Sequence, residues 1–179
     1  MVVLATAASA ENHANPVLVL ELVGEASGVV EIELFEDVAP NHVAQIVQLA
    51  SSGKYDNIVF HRVIAGFMAQ TGDVTFGRIN GGSTQYAGMG GSDLPDLDSE
   101  FSDVPFERGV VGMARSADPN SANSQFFIMF ASAPHLTGQY TVIGKVISGQ
   151  EVVDGIKKGS PSANGSVADP DYIKQATIR

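Results

Sequence analysis

The chain has 179 residues, 44% apolar and 17% charged, which excludes a disordered polymer, because that much apolar surface can offset the entropy of ordering. Its formal charge of −10, with 20 acidic side chains and 10 basic ones scattered along the chain, argues against a nucleic-acid partner. There is no cysteine, hence no disulfide framework, no thiol nucleophile and no zinc-thiolate site.

One domain is expected at this length, over residues 16–179, with residues 1–15 as an extension. The start, MVVLATAASA, ends in Ala8-Ser9-Ala10, which has the A-x-A form of a signal-peptidase site, although no Lys or Arg precedes Lys54. Two expectations stand. The run is the remnant of a secretory leader, which would place the protein in the periplasm, or it is an Ala-rich extension of a cytoplasmic protein. It is too short for a membrane span.

Val17 to Leu22 reads as a strand, and Gly24 to Gly28 as the turn of a hairpin. In the next run Val30, Ile32 and Leu34 alternate with Glu31 and Glu33, the period of a strand with one face on the core. A helix is expected over residues 40–52. Pro40 suits its first turn, Asp37 and Asn41 its positive end and Gly53 its exit, while Val43, Ile46, Val47 and Ala50 form the inward stripe. Residues 58–73 are strand-like with an interruption at Gly66. Three more apolar segments follow at 109–116, 124–130 and 140–147. Residues 77–92, rich in Gly, Ser and Thr, form an irregular loop, and loops of that length are often functional. A second helix is expected from Glu151 to Lys158, and a last strand from Tyr172 to Ile178. Many strands with two helices and no regular alternation predict a mainly antiparallel sheet that closes into a barrel.

Several signatures fall short. Gly138 to Gly144-Lys145 has five residues between its glycines where a phosphate loop needs four, and Val146 stands where Ser or Thr would hold magnesium. Asp96, Asp98 and Glu100 have calcium-ligand spacing, but Phe101 replaces the glycine that such a loop needs, so a solvated acidic loop is expected. The histidines at 13, 42, 61 and 135 form no HExxH, and no G-x-S-x-G is present. No metal ligands and no cofactor are expected.

What remains is the segment Phe60-His61-Arg62-Val63-Ile64-Ala65-Gly66-Phe67-Met68-Ala69-Gln70-Thr71-Gly72-Asp73, and a second one from Gly112-Met113-Ala114-Arg115 through Asn123-Ser124-Gln125-Phe126-Phe127-Ile128. Both resemble the signature blocks of cyclophilins, in the right order and about the right distance apart, and supporting matches extend the resemblance over residues 16–179. It implies a closed eight-stranded antiparallel β-barrel capped by two α-helices, and peptidyl-prolyl cis-trans isomerase activity on proline-containing peptides and unfolded proteins. Carried over, it makes Arg62 the catalytic side chain and Phe67, Met68, Phe127 and Leu136 the walls of a proline pocket. Gln70 becomes a polar contact to the substrate backbone, and Ala114, Arg115 and Gln125 line the groove. A monomer is expected.

The chemistry is sound on its own terms. Rotating an X-Pro amide needs loss of amide resonance and no nucleophile, against a barrier of about 20 kcal/mol. A guanidinium aimed at the prolyl nitrogen bonds it more strongly in the twisted state than in the planar one, and that difference is catalysis. Taken singly, the apolar residues would be core and Arg62 a surface ion-pair partner; their conjunction reverses that reading. His61 is expected to be structural. The rival is a binding or chaperone module that holds proline segments, with turnover incidental.

Three positions depart from the family pattern. His135 stands where many cyclophilins carry the Trp that the resemblance links to tight cyclosporin binding, so weak affinity is expected. Tyr140 occupies the place of a pocket histidine, as in many bacterial relatives. Arg115 replaces a common Asn, adding a second positive charge beside the groove.

Overall fold

The computed structural model describes residues 14–179, so the expectations that rest on Ala8-Ser9-Ala10 and His13 lie outside the described residues. Order is already present at Asn15, whose Nδ2 donates to Glu33 Oε1, and at Pro16, whose carbonyl accepts from Leu34 N. The first hairpin pairs β1 (Val17–Val23) with β2 (Gly28–Leu34). Leu18, Leu20 and Leu22 of one strand and Val30, Ile32 and Leu34 of the other are buried, as the alternation demands.

Helix α1 (Pro40–Ser51) follows and buries Val43, Ile46, Leu49 and Ala50. Its first turn is not capped from its own sequence. Glu100 reaches it from a distant loop and accepts from the backbone N–H groups of Asn41 and His42, from Asn41 Nδ2, and from His42 Nδ1 at 2.5 Å. Glu100 therefore belongs to a helix cap rather than to a solvated loop, because a carboxylate is stabilised by the unpaired amides and the dipole of a helix start.

The remaining strands are β3 (Ile58–Val59), β4 (Arg62–Ile64), β5 (Met68–Thr71), β6 (Val110–Met113), β7 (Phe126–Met129), β8 (Val142–Ser148) and β9 (Tyr172–Ile178). All pair antiparallel in one nine-stranded sheet of order β3-β9-β1-β2-β8-β6-β7-β5-β4. The expected count was eight. The ninth arises because one run of chain changes partner at Phe60-His61: Ile58 and Val59 pair with β9, and Arg62 to Ile64 with β5. β3 and β4 are the two ends of the order and adjoin in sequence, so the sheet curls until its ends are halves of one stretch.

The second helix, α2 (Gln150–Asp154), stops four residues short of the expected Lys158. Gly155 caps it, and the buried Asp171 carboxylate accepts from Lys157 N at 3.0 Å as well as from Glu25 and Ala26 N, which turns the chain away. Among the described residues no helix is long and apolar enough to cross a membrane.

Two apolar clusters sit on opposite faces of the sheet. The inner one holds Val63, Ala69, Phe126 and Ile128 with the buried faces of β1, β2 and α1. The outer one holds Met68, Phe127, Met129 and Leu136, with Phe67, Ala114 and Tyr140 packed against it. The period of two in β4, β5 and β7 thus sends alternate residues to the core and to an outer face, where the candidate site lies.

Candidate active site

Strand register builds the site. Arg62 pairs with Gln70, Gln70 with Phe127, and Phe127 with Gly112, so four adjacent strands place one residue each in a single row across the sheet. The absence of a side chain at Gly112 leaves room for its neighbour: a Cβ there would stand 2.6 Å from the Phe127 and Phe106 rings.

Arg62 is held at three points. Its Nε donates to the Asn164 carbonyl at 3.0 Å, its Nη2 to Asn164 Oδ1 at 3.1 Å, and its Nη1 to Gln70 Oε1 at 3.3 Å. Of five N–H groups these contacts occupy three and leave two for a ligand. Asn164 follows the 3-10 turn Pro161–Ala163 and adopts φ 53°, a left-handed conformation that Asn tolerates and that turns both of its oxygens toward Arg62.

Gln70 passes the constraint on. Its Nε2 donates to Gln125 Oε1 at 3.0 Å, and Gln125 Nε2 donates to the carbonyls of Gly88 and Gly90 at 3.0 and 2.8 Å. Backbone carbonyls only accept, so the Gln125 amino group must face them, which leaves its oxygen for Gln70 and the Gln70 oxygen for Arg62. The far end is fixed by Asp73, fully buried, whose carboxylate accepts from the N–H groups of Thr75, Phe76, Gly88 and Gly90.

Beside this polar chain lies an apolar wall. Met68, Phe127 and Leu136 are 2%, 5% and 7% exposed, nearly buried yet open to a groove of about 800 Å³. Phe127 stacks on Phe106 at 5.7 Å and meets the Tyr140 ring edge-on at 5.8 Å. Phe67 and His135 stack at 6.2 Å with ring planes 27° apart, forming an outer lip.

Arg115 and Tyr140, two of the three departures from the family pattern, are partners. The Arg115 guanidinium lies 4.5 Å over the Tyr140 ring, while its Nε and Nη2 donate to the Gln139 carbonyl and its Nη1 to the Ser116 carbonyl.

The groove is lined by Arg62, Phe67, Met68 and Gln70 from β4 and β5, by Ala114, Arg115 and Phe127, and by His135, Leu136 and Tyr140. Gln125 stands one step away, in an adjoining pocket of about 420 Å³ that also meets Gln70, Ala114 and Arg115. Asn164, Asp73 and Gln139 were not singled out from sequence as site residues. The Asn164-Gly165 dipeptide is a turn signal, but nothing local says which side chain such a turn meets.

His61 borders the groove, and among the described residues neither of its ring nitrogens is bonded to a partner. Burial pushes its pKa down to about 4, opposed by the Asp73 charge and assisted by that of Arg62, so the imidazole is neutral near pH 7.

A curled antiparallel sheet with two helices and an open groove on its outer face is a cyclophilin-like fold. A crystal structure of a cyclophilin type peptidyl-prolyl cis-trans isomerase from Cryptosporidium parvum, in the presence of the dipeptide ala-pro, superposes with a TM-score of 0.75. It is 29% identical, and the match covers 91% of this chain and 98% of that one. A cyclophilin of Hirschia baltica gives 0.73 at 29% identity, over 90% of this chain and 73% of that one. A probable peptidyl-prolyl cis-trans isomerase of Brucella suis is 56% identical over 174 residues, 97% of this chain and 86% of the relative. The mouse peptidyl-prolyl cis-trans isomerase-like 3 is 41% identical over 133 residues, 73% of this chain and 77% of that protein. The family model described as cyclophilin type peptidyl-prolyl cis-trans isomerase matches residues 19–178. The chain belongs to that family, and it is an enzyme of the cyclophilin type.

Proposed function

We propose that this isomerase turns X-Pro bonds over by donating from Arg62 to the prolyl nitrogen while the proline ring rests on Met68, Phe127 and Leu136. The observation that supports this reading is the row Arg62–Gln70–Phe127, which sets a guanidinium with two uncommitted N–H groups beside an apolar wall. In the planar amide the nitrogen lone pair is delocalised and accepts poorly. In the twisted amide the lone pair is localised, and a donor already in place bonds it without reorganising. The anchors on Asn164 and Gln70 supply that preorganisation, and the apolar wall lowers the local dielectric so that the bond is stronger.

The test is isomerisation of a proline peptide. Arg62→Ala should lower kcat by about 10²- to 10³-fold with an unchanged thermal midpoint. Equal activity of the two proteins would assign the chemistry elsewhere. Localisation in the periplasm is proposed on the Ala8-Ser9-Ala10 run alone. The intact mass of protein isolated from its native host checks it, with loss of residues 1–10 expected.

A further inference from the structure

Both guanidiniums of the groove lack a carboxylate partner. Among the described residues the ion pairs are His42–Glu100, Arg108–Asp154, Lys174–Glu21 and Arg179–Glu31, all without Arg62 or Arg115. Arg62 is bound to two neutral amides, and Arg115 to two backbone carbonyls and a ring face. Among the described residues no Asp or Glu lines the larger groove, although the chain as a whole carries −10. Asp96 lines the adjoining pocket, where its Oδ1 is engaged by Asn123 Nδ2, and the buried Asp73 carboxylate behind His61 is taken up by four backbone N–H groups. The groove is therefore a cationic concavity in an acidic protein.

Within it the two cations differ in what they can do. The free donors of Arg62 are committed to the prolyl amide on the reading above. Arg115 lines both the groove and the adjoining pocket, so a peptide that leaves the proline site toward that pocket passes it. Three N–H bonds and the Tyr140 stack hold it in one geometry, which leaves two N–H groups and an unneutralised charge. A planar fork held in that way suits a carboxylate, which it meets without displacing a resident anion. The remote carboxylates of the chain oppose this weakly. At physiological ionic strength the Debye length is about 8 Å, so charges outside the groove are largely screened while the one inside is not.

We propose that the groove selects proline segments carrying an Asp or Glu one or two residues from the proline, with Arg115 as the residue that sets this preference. The proposal rests on the reading of Arg62 and the apolar wall as the proline site. It is tested with three otherwise identical proline peptides whose flanking residue is Glu, Gln or Lys, assayed by kcat/KM at low and high salt. At low salt the Glu peptide should exceed the Lys peptide by about five- to twentyfold, chiefly through KM, and the ratio should shrink as salt is added. Arg115→Gln should bring the ratio near one, and Arg115→Lys should keep part of it. Equal values for the Glu and Lys peptides in the unmodified protein, or an undiminished ratio in Arg115→Gln, overturn the proposal. The salt series on the unmodified protein stands as a test even where a variant does not fold. Arg62→Ala checks the underlying assignment separately: a common fall in kcat for all three peptides supports it, and unchanged rates overturn the proline site itself.

Discussion

Gln70 stands opposite Arg62 in the β4–β5 ladder and gives it an acceptor at 3.3 Å, so the guanidinium is aimed by an amide whose own orientation is dictated from further away. The dictating group is the Asp73 carboxylate, which gathers four amides of the 75–90 stretch and thereby presents the Gly88 and Gly90 carbonyls to Gln125. One buried side chain that accepts four backbone N–H bonds holds its loop firmly.

Breaking that chain in the middle should therefore harm catalysis more than stability. Gln125→Leu leaves Gln70 free to rotate its amide and releases one anchor of Arg62, and it also strands the Gly88 and Gly90 carbonyls, which water can reach. We expect kcat to fall about tenfold, the order of effect of a small loss of orientation at a reacting group, with a thermal midpoint within a few degrees of the parent. Peptide isomerisation and thermal melting measure both. Loss of the fold with full specific activity in the folded fraction would contradict the argument.

Much of this fold could be read from residue spacing, and what could not was long-range. The alternation of Val30, Ile32 and Leu34 located β2, and the final strand runs over Tyr172–Ile178 as expected. Both are local patterns in which one face meets the core. The break at Phe60-His61 lies in a run without Gly or Pro: Phe60 still bonds to the Asp171 carbonyl beside the β3–β9 pairing, far along the chain, and from Arg62 onward the pairing is with β5 instead. The end of α2 depends on the same aspartate. The groove divides in the same way: Arg62, Met68 and Phe127 stand in two legible blocks and Leu136 outside them, whereas Asn164 meets Arg62 from 102 residues away and Gln139 meets Arg115 from 24. A side chain that acts by gripping a distant backbone has no spacing to betray it.

The cap on α1 makes stability depend on Glu100. Burial pushes this carboxyl up, but hydrogen bonds from the His42 side chain and from the His42 and Asn41 backbone outweigh it and hold the pKa below its ordinary value. A depressed carboxylate contributes stability that is present above its unfolded pKa, about 4.3, and is lost as pH falls through the folded value. Glu100→Ala should cost about 2 kcal/mol at pH 7, a thermal shift of roughly 4–8 °C, and the difference from the parent should narrow in strongly acid solution. Melting curves from pH 7 down to pH 3 check this. A pH-independent difference would mean that Glu100 acts by packing alone.

His61 works with the same sign from a different cause. Its folded pKa of about 4 is set mainly by burial, whereas an unfolded histidine titrates near 6.5. Between those values the unfolded chain binds a proton that the folded one refuses, so stability is full above pH 6.5 and declines as pH falls toward 4. The total is about 3 kcal/mol at most. Urea unfolding at pH 7 and pH 4.5 should show the decline in the parent and a smaller one in His61→Gln. Because the ring is neutral from pH 6 to pH 8, kcat/KM should be level over that range; a sigmoid step near pH 6.5 that vanishes in His61→Gln would show a titrating imidazole in catalysis.

His135 gives the groove an exposed lip of limited reach. Its ring stacks on Phe67 at 6.2 Å, and it offers an inhibitor less apolar area than the indole that many cyclophilins carry here. An imidazole is also polar at both ring nitrogens, where indole presents a single N–H donor on a larger apolar face. Cyclosporin should therefore bind this protein weakly, and His135→Trp should tighten it at least tenfold, about the change expected from added aromatic area plus one hydrogen bond. His135→Phe separates the two contributions, since it restores the face without the donor and should recover only part of the gain. Titration calorimetry of the three proteins decides it. Tight binding by the unmodified protein would show that Phe67, Phe127 and Leu136 suffice for the macrocycle and that the lip is dispensable.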